Sequence, residues 1–329
     1  MMLHSKTHLD HEISDVDTTK MFTSRGAIAP EKVSVVPHGT RHRNSKENAG
    51  EDFRDAHNIG NATTLFVYVG ALLPRKGLDI LLDSWCQAFK PDEDVALIVK
   101  SSYSHGGEMI KEKLLAFTGC PKCGRIIHLE HWSGNDDLTS LYDAANIFVH
   151  PSRAEGFGLT PLEALGFGKL VVAPNMGASN DFLSQYYAYL VDAELQTCST
   201  FPCDERAFCV FQDKDEGSWN KCETLEDTPT WHPLNETKLT EALKEVHENK
   251  ARYQRYVPYG QHVVQTHFSW SAISKVAIYE MFKVWQIKGN DTHKGVVSSH
   301  WDMDPTFESV MNVFIEKHGA RNISAAEYM

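Results

Sequence analysis

Short runs of β-branched and aromatic residues alternate with longer amphipathic runs from residue 33 onward. This alternation is typical of βα units built around a mostly parallel sheet. The predicted strands are Val33–Val36, Leu65–Val69, Val95–Val99, Ile126–Leu129, Ile147–His150, Leu170–Ala173 and Ala188–Val191. The predicted helices between them are Leu78–Phe89, Glu108–Phe117, Asp136–Ala145, Leu159–Phe167 and Ser179–Ser184. We therefore expect an α/β fold with an open, doubly wound, mostly parallel sheet.

The helix predicted at Leu78–Phe89 has one apolar face. Leu78, Leu81, Leu82 and Trp85 recur at the spacing of successive helical turns. Such a stripe packs against the sheet, so we assign it to the hydrophobic core and not to the chemistry.

The rest of the chain divides into a leading segment, an insert and carboxyl-terminal helices. Residues 192–233 lack clear periodicity and form a cysteine-bearing insert, long enough to be functional or partly mobile. Further helices are predicted at Glu236–Val257, Ser269–Gln286 and Pro305–His318. We expect a main α/β domain at 25–285, preceded by a linker or remnant at 1–24 and followed by a helical tail at 286–329.

The charge balance restricts the class of ligand. Lysine and arginine number 32 against 44 aspartates and glutamates, so the formal net charge is −12. This balance disfavours a nucleic-acid partner, and an anionic ligand has to be held locally. No apolar run approaches the roughly 20 residues of a membrane helix, and residues 1–24 do not resemble a signal peptide. As written, the sequence favours the cytoplasm.

Sequons and cysteines favour the lumen of the secretory pathway as an alternative. Sequons occur at Asn61, Asn235, Asn290 and Asn322. The insert carries cysteines that would form disulfides in a lumenal protein and free thiols elsewhere, at Cys198, Cys203, Cys209 and Cys222. Cys120-Pro-Lys-Cys123 looks like half of a zinc ribbon, but a ribbon needs a second pair of ligands. We therefore expect no metal site.

The most informative motif follows the strand predicted at Ile147–His150 directly. It contains Glu155, Gly156, Gly158 and Glu163, with the start of a helix among them. The glycines let the backbone approach a ligand, and the helix start offers free N–H groups to a diphosphate. Either glutamate alone is more often a solvated surface charge. Together, at the carboxyl end of a central strand, they favour a binding site.

A second loop, from Gly70 to Gly77, follows the strand predicted at Leu65–Val69 and contains Arg75 and Lys76. The two cations could neutralise a diphosphate, although a basic pair in a loop is more often merely solvated. A third motif, at Val36-Pro-His38-Gly39, is either a packing turn or part of the rim of the site. His38 itself is expected to be a structural or surface histidine and not a base.

Four motifs in this order resemble the group 1 glycosyltransferases, the retaining family 4 enzymes of GT-B fold. They are Val36-Pro-His-Gly39, Val69-Gly through Arg75-Lys-Gly77, Leu141-Tyr-Asp-Ala-Ala, and Glu155-Gly-Phe-Gly through Glu163-Ala. The two glutamates resemble that family's E-x7-E signature, and the resemblance covers about residues 25–285. It implies the carboxyl-terminal, Rossmann-like half of a GT-B fold, which binds the nucleotide sugar.

The resemblance also implies roles for the site residues. Glu163 is expected to bind the ribose, and Glu155, the expected catalytic residue, is expected to lie against the donor sugar. The backbone of the intervening residues lies there too, at Gly156, Phe157, Gly158 and Leu159. Lys76 is expected to hold the diphosphate with help from its loop, which contains Gly70 and Arg75. No cofactor and no metal are implied.

The chain departs from the family in two respects. Ala71 stands where the family most often has arginine, so Arg75 substitutes for it or phosphate binding is weaker. The family's amino-terminal acceptor domain is not seen, so we expect it to be encoded upstream or supplied by a partner chain.

The leading hypothesis is retaining transfer of a hexose from a nucleoside-diphosphate sugar to a sugar, lipid or protein hydroxyl, with this chain inactive alone. The alternative is a non-catalytic nucleotide-sugar-binding or regulatory module. A phosphorylase of the same architecture is disfavoured, because no pyridoxal-phosphate lysine motif is recognisable.

Overall fold

A computed structural model describes residues 36–40, 47–102, 107–130, 137–194, 196–197, 230–231 and 233–290. The segment 1–24, the helix predicted at Pro305–His318 and most of the strand predicted at Val33–Val36 lie outside the described residues. The insert is described only at its two ends, and the tail only to residue 290. The chain divides into two units, Met1–Ala272 and Ile273–Met329.

The first unit is built on a parallel sheet. Its strands are β1 (Thr64–Ala71), β2 (Val95–Ser102), β3 (Arg125–Leu129), β4 (Ile147–Val149), β5 (Leu170–Pro174) and β6 (Tyr189–Val191). Their order is β3-β2-β1-β4-β5-β6, and every neighbouring pair is parallel. The direction of winding reverses between β1 and β4, which is where such sheets bind ligands. The predicted α/β, doubly wound, parallel fold is confirmed.

Helices connect these strands and cover the sheet. They are α1 (Ala49–Ala56), α2 (Leu78–Ala88), α3 (Glu108–Thr118), α4 (Asp137–Ala144) and α5 (Leu159–Gly166). The predicted apolar stripe of α2 is fully buried, and the Trp85 ring lies 5.2 Å from Phe66 of β1. A buried stripe of this kind fixes how α2 sits on the sheet and hence where its amino-terminal end lies.

The carboxyl-terminal part is more broken than predicted. The helix expected at Glu236–Val257 is α6 (Glu236–Glu248) followed by α7 (Lys250–Gln254). Asn249 leaves helical geometry between them, with φ −105° and ψ 23°. Next come α8 (Val257–His267), which was not predicted, and α9 (Trp270–Asn290), which extends the helix predicted at Ser269–Gln286. Among the described residues no helix is both long and apolar enough to cross a membrane.

Three smaller features differ from the sequence prediction. The helix expected at Ser179–Ser184 is a short 3-10 helix at Ala178–Asp181. The ends of the insert pair as an antiparallel ribbon, with β7 at Gln196–Thr197 and β8 at Thr230–Trp231. Helix α1 was not predicted because its sequence offers few apolar side chains. Its buried Arg54 anchors it instead, donating to the carbonyl oxygen of Ala144 at 2.9 Å.

Candidate functional site

Two loops meet at the carboxyl edge of the sheet. One follows β1 and contains a 3-10 helix at Pro74–Lys76, and the other follows β4, the neighbouring strand. The backbone N–H of Arg153 donates to the carbonyl oxygen of Arg75 at 2.8 Å. The Ser152 hydroxyl donates to the same oxygen at 3.1 Å. The two loops predicted to bind the donor are therefore joined to each other.

Glycine at position 77 makes this contact possible. Gly77 has φ 70°, and a Cβ there would lie 1.9 Å from the carbonyl oxygen of Pro151. No other residue type fits such a backbone approach without displacing one of the loops. The sequence motif identified Gly77 as part of the phosphate loop but gave no sign of its contact with Pro151.

A buried ion pair holds the loops beneath the site. Arg153, 2% exposed, donates to both oxygens of Asp79 in the first turn of α2, at 2.8 and 2.7 Å. It also donates to the carbonyl oxygen of Pro74. Sequence reasoning missed this pair, because an arginine in a polar loop and an aspartate at a helix start both resemble surface residues.

The structure places the predicted catalytic residue next to the predicted phosphate-binding cations. Lys76 donates a hydrogen bond to Glu155 Oε1, and Arg75 Nη1 lies 3.5 Å from Glu155 Oε2. Ser152 Oγ also lies 3.1 Å from Glu155 Oε1, so its single proton is shared between this carboxylate and the Arg75 carbonyl oxygen. Burial acts to raise the pKa of the Glu155 carboxyl, but attraction to His150, Lys76 and Arg75 outweighs it and lowers that pKa. Glu155 is therefore ionised at neutral pH.

His150 lies behind this carboxylate and was not a candidate in the sequence, where it ended a predicted strand. It is 4% exposed, and its Nε2 atom lies 3.7 Å from Glu155 Oε1. Burial lowers the pKa of His150 to about 4, with Glu155 opposing the shift. The imidazole is neutral above that pH, so its attraction for Glu155 acts only where it is protonated, and the positive charges facing Glu155 at neutral pH are Lys76 and Arg75.

Glu163 lies on α5, the helix that follows the glycines. Its Oε2 atom accepts a hydrogen bond from the hydroxyl of Tyr142, at 3.1 Å, and Tyr142 is a buried residue of α4. Glu163 also borders a small cleft, which Thr40 and Ser269 line as well. Tyr142 therefore orients Glu163, a role that its place in the Leu141-Tyr-Asp-Ala-Ala motif did not reveal.

The residues from Gly156 to Leu159, which follow Glu155, differ in how exposed they are. Gly156 is exposed, and a Cβ there would meet no atom within 4 Å. Gly158, with φ 92°, caps α5, and Leu159 is 42% exposed. The Phe157 side chain is buried, with its ring 5.4 Å from that of Phe182. At Phe157, only the backbone is therefore available to a ligand.

The remaining sequence candidates pack within the domain. Gly70 belongs to β1, and a Cβ there would lie 2.7 Å from the Tyr68 hydroxyl. The His38 ring lies 5.5 Å from that of Phe157 and 6.1 Å from that of Trp270. A Cβ on Gly39 would lie 2.8 Å from the Trp270 ring. The Val36-Pro-His38-Gly39 motif therefore packs against Phe157 and Trp270.

The fold and the joined loops define a parallel α/β domain with a charged site at its topological switch point. Residues 50–197 match the model of the family described as glycosyl transferases group 1. The six-stranded parallel sheet matches those of solved GT-B glycosyltransferases, so this chain shares their fold.

Curated relatives match this chain over part of their length. A lipopolysaccharide 1,2-N-acetylglucosaminetransferase from Salmonella typhimurium is 24% identical over 193 residues, which are 56% of this chain and 51% of that protein. A D-inositol 3-phosphate glycosyltransferase from Segniliparus rotundus is 28% identical over 153 residues, 46% of this chain and 33% of that protein. The chain thus spans about a third to a half of the length of these relatives.

Solved structures share the fold at low sequence identity. The Anabaena protein HepE, in complex with UDP and glucose, superposes with a TM-score of 0.59 at 17% identity. The superposition covers 81% of this chain and 61% of HepE. The likeness shows that the two proteins have the same fold over the shared region.

Proposed function

We propose that the protein transfers a hexose from a nucleoside-diphosphate sugar to an acceptor hydroxyl with retention of configuration. The observation that carries this proposal is the meeting of Glu155 with Arg75 and Lys76 at the switch point of the sheet. A carboxylate beside two cations suits a substrate that has hydroxyl groups next to a diphosphate.

Each charged residue has a distinct part in this proposal. Lys76 and Arg75 bind the diphosphate and stabilise the negative charge that develops on it as the bond to the sugar breaks. Glu155 accepts hydrogen bonds from sugar hydroxyls and faces the reacting carbon. Glu163, oriented by Tyr142, accepts hydrogen bonds from the two ribose hydroxyls. We propose a transfer without a metal, in which Lys76 and Arg75 supply the positive charge that faces the diphosphate.

The contact between Lys76 and Glu155 also explains how the site accommodates an anion. With no donor bound, the ammonium group and the carboxylate neutralise each other in a half-buried place. When the diphosphate binds, Lys76 donates hydrogen bonds to it in place of Glu155. Glu155 then accepts hydrogen bonds from the sugar hydroxyls. The exchange leaves neither charged group without a hydrogen-bond partner.

The comparisons support the donor class. HepE has been solved in complex with UDP-glucose, and the curated relatives are glycosyltransferases. Since the chain spans only part of those relatives, we propose that an acceptor domain, encoded upstream or carried by a partner chain, supplies the site for a sugar, lipid or protein acceptor. Transfer requires that this domain closes over the donor and excludes water.

A titration of the purified chain with UDP, GDP and ADP, followed by thermal unfolding, tests the donor site. Ligand at a hundred times its dissociation constant stabilises the folded state by about 2.7 kcal/mol, which raises the melting temperature by several degrees. We expect one nucleotide to give this shift and Glu163→Ala to abolish it. Glu112→Ala is the matched control, because Glu112 is an exposed glutamate of α3. No shift with any nucleotide would contradict the donor site.

The second candidate function is a non-catalytic nucleotide-sugar-binding module, favoured by Ala71 at the end of β1 where the resemblance places an arginine. An assay with radiolabelled donors distinguishes the transferase from the binding module. The donors are offered to this chain after it has been joined to an acceptor domain. Transfer or donor hydrolysis that Glu155→Gln abolishes supports the enzyme. Tight donor binding without turnover supports the module.

A further inference from the structure

Three cysteines that are separated in sequence meet at one place in the fold. Cys86 lies near the end of α2, whereas Cys120 and Cys123 lie in the turn between α3 and β3. Their sulfur atoms all lie within 4.8 Å of one another. Cys86 and Cys123 are joined as a disulfide, and the free Cys120 Sγ lies 3.9 Å from Cys86 Sγ and 2.9 Å from Cys123 Sγ.

The surrounding backbone holds the turn against α2. The Gly124 N–H donates to the carbonyl oxygen of Phe89, and the Trp85 indole N–H donates to the carbonyl oxygen of Gly124, both at 2.9 Å. A Cβ on Gly124 would lie 2.9 Å from the Cβ of Phe89, so only glycine allows this approach. The packing of the turn against α2 therefore brings the three cysteines together.

We propose that these three cysteines, when reduced, form a binding site for a thiophilic divalent cation, Zn²⁺ above all. Zinc binds thiolates at about 2.3 Å in tetrahedral geometry, which sets neighbouring sulfurs about 3.8 Å apart. Cys86 and Cys120 already have that spacing, at 3.9 Å, and Cys123 has to move away from both of them once its bond to Cys86 is broken. The Cys-x-x-Cys turn supplies the paired ligands typical of zinc sites, and Cys86 supplies a third that the sequence pattern did not reveal.

The chemistry balances in two steps. A thiol reductant is oxidised to its disulfide as the bond between Cys86 and Cys123 is reduced to two thiols. Zn²⁺ then displaces three protons from the thiols of Cys86, Cys120 and Cys123. Cys86 and Cys120 are partly exposed, which gives the ion a path from solvent and lets a water molecule fill the fourth position.

The proposed metal site is structural and separate from the donor site. The turn precedes β3, at the amino edge of the parallel sheet, whereas the donor loops follow β1 and β4 at the carboxyl edge. Zinc there ties the end of α2 to the start of β3, so we expect it to raise the melting temperature without entering the transfer reaction.

Cobalt substitution tests the site in the full chain, kept reduced and free of oxygen. Titration with Co²⁺ is expected to give about one equivalent bound, with thiolate-to-cobalt charge-transfer absorption and the visible bands of tetrahedral Co²⁺, all removed by Zn²⁺. Cys120→Ser replaces a partly exposed residue of the turn and is expected to abolish the absorption. The matched control is a variant with serine at the insert positions Cys198, Cys203, Cys209 and Cys222, which is expected to keep it.

Two results would overturn the proposal. One is a reduced wild-type chain that binds no Co²⁺, a result that does not depend on any variant being folded. The other is absorption that survives Cys120→Ser but disappears in the insert variant, which would place the metal among the insert cysteines. Nucleotide binding by the Cys120→Ser variant reports on the donor site separately, so failure here leaves the proposed transferase function standing.

Discussion

The guanidinium group of Arg153 and the carboxylate of Asp79 form two hydrogen bonds, at 2.8 and 2.7 Å, beneath the loops that carry Arg75 and Glu155. The Arg153 side chain is 1% exposed and that of Asp79 is 13% exposed. Removing one partner of such a pair leaves the other charge buried without compensation. The pair therefore couples the stability of the domain to the shape of the proposed donor site.

Asp79→Ala is expected to lower the free energy of unfolding by about 3–5 kcal/mol, because it leaves the buried Arg153 charge without its partner. Asp83→Ala, one turn further along α2, is the control. Asp83 pairs with Lys113 near the surface, and such a pair contributes less than about 1 kcal/mol. Urea unfolding of both variants measures the difference, and equal losses would contradict a special role for Asp79.

Gly77→Ala is expected to be among the most damaging glycine substitutions. The added Cβ would collide with the carbonyl oxygen of Pro151. The backbone at this position also has φ 70°, a conformation that alanine rarely adopts. The backbone conformation alone costs about 1–3 kcal/mol, and displacement of the loops adds to that. Gly119→Ala, where a Cβ meets nothing within 4 Å, should leave stability within about 1 kcal/mol of wild type. Thermal unfolding compares the two.

His150 predicts a dependence of stability on pH. Burial lowers its pKa to about 4 in the folded state, whereas the unfolded chain titrates near 6.5. The unfolded state therefore binds the proton first, so the stabilisation is complete above about pH 6.5 and is lost as the pH falls towards 4. Between about pH 7 and pH 5 the loss amounts to about 2 kcal/mol.

His150→Gln is expected to remove that part of the pH dependence. His262→Gln, at an exposed histidine of α8, should retain it. Urea unfolding at the two pH values gives the comparison. An unchanged pH profile in His150→Gln would show that another group is responsible. The lowered pKa of Glu155 contributes only at lower pH, because its stabilisation is lost as the pH falls below its ordinary value.

Lys76→Met tests whether this lysine binds the diphosphate. A charge-assisted hydrogen bond contributes about 1.5–3 kcal/mol, so affinity for the nucleoside diphosphate should fall about 10- to 100-fold. Affinity for the corresponding monophosphate should fall much less. Lys113→Met removes another paired lysine, which serves as the control. Calorimetric titration with the diphosphate and the monophosphate measures both affinities. An equal loss of affinity for the two nucleotides would argue against a contact between Lys76 and the diphosphate.

Tyr142→Phe tests whether the tyrosine orients Glu163. It removes the hydroxyl that donates to Glu163 Oε2 at 3.1 Å, so nucleotide affinity should fall several-fold while stability changes by about 1 kcal/mol. In a Glu163→Ala background the same change should have no further effect on nucleotide affinity, because the oriented carboxylate is already gone. Independent losses would mean that Tyr142 acts on the nucleotide by another route.

The pattern of the sequence determined the sheet and most of its helices. Central parallel strands read as continuous apolar runs, as at Leu65–Val69, and the stripe from Leu78 to Trp85 has helical period, so both follow from local spacing. Helix α1 escaped prediction because its position depends on Arg54, whose bonds reach residues about 90 positions away. No local pattern encodes such a bond.

The sequence also determined which loops carry the candidate chemistry, because glycines, cations and carboxylates after strands are local features. Only the tertiary structure decided which side chains meet. Lys76 reaches Glu155 across 79 positions because β1 and β4 are neighbours at the switch point. The same folding buries His150 and brings Cys86 to Cys120 across 34 positions. Burial and contact of this kind depend on strand order and packing, which no short stretch of sequence contains.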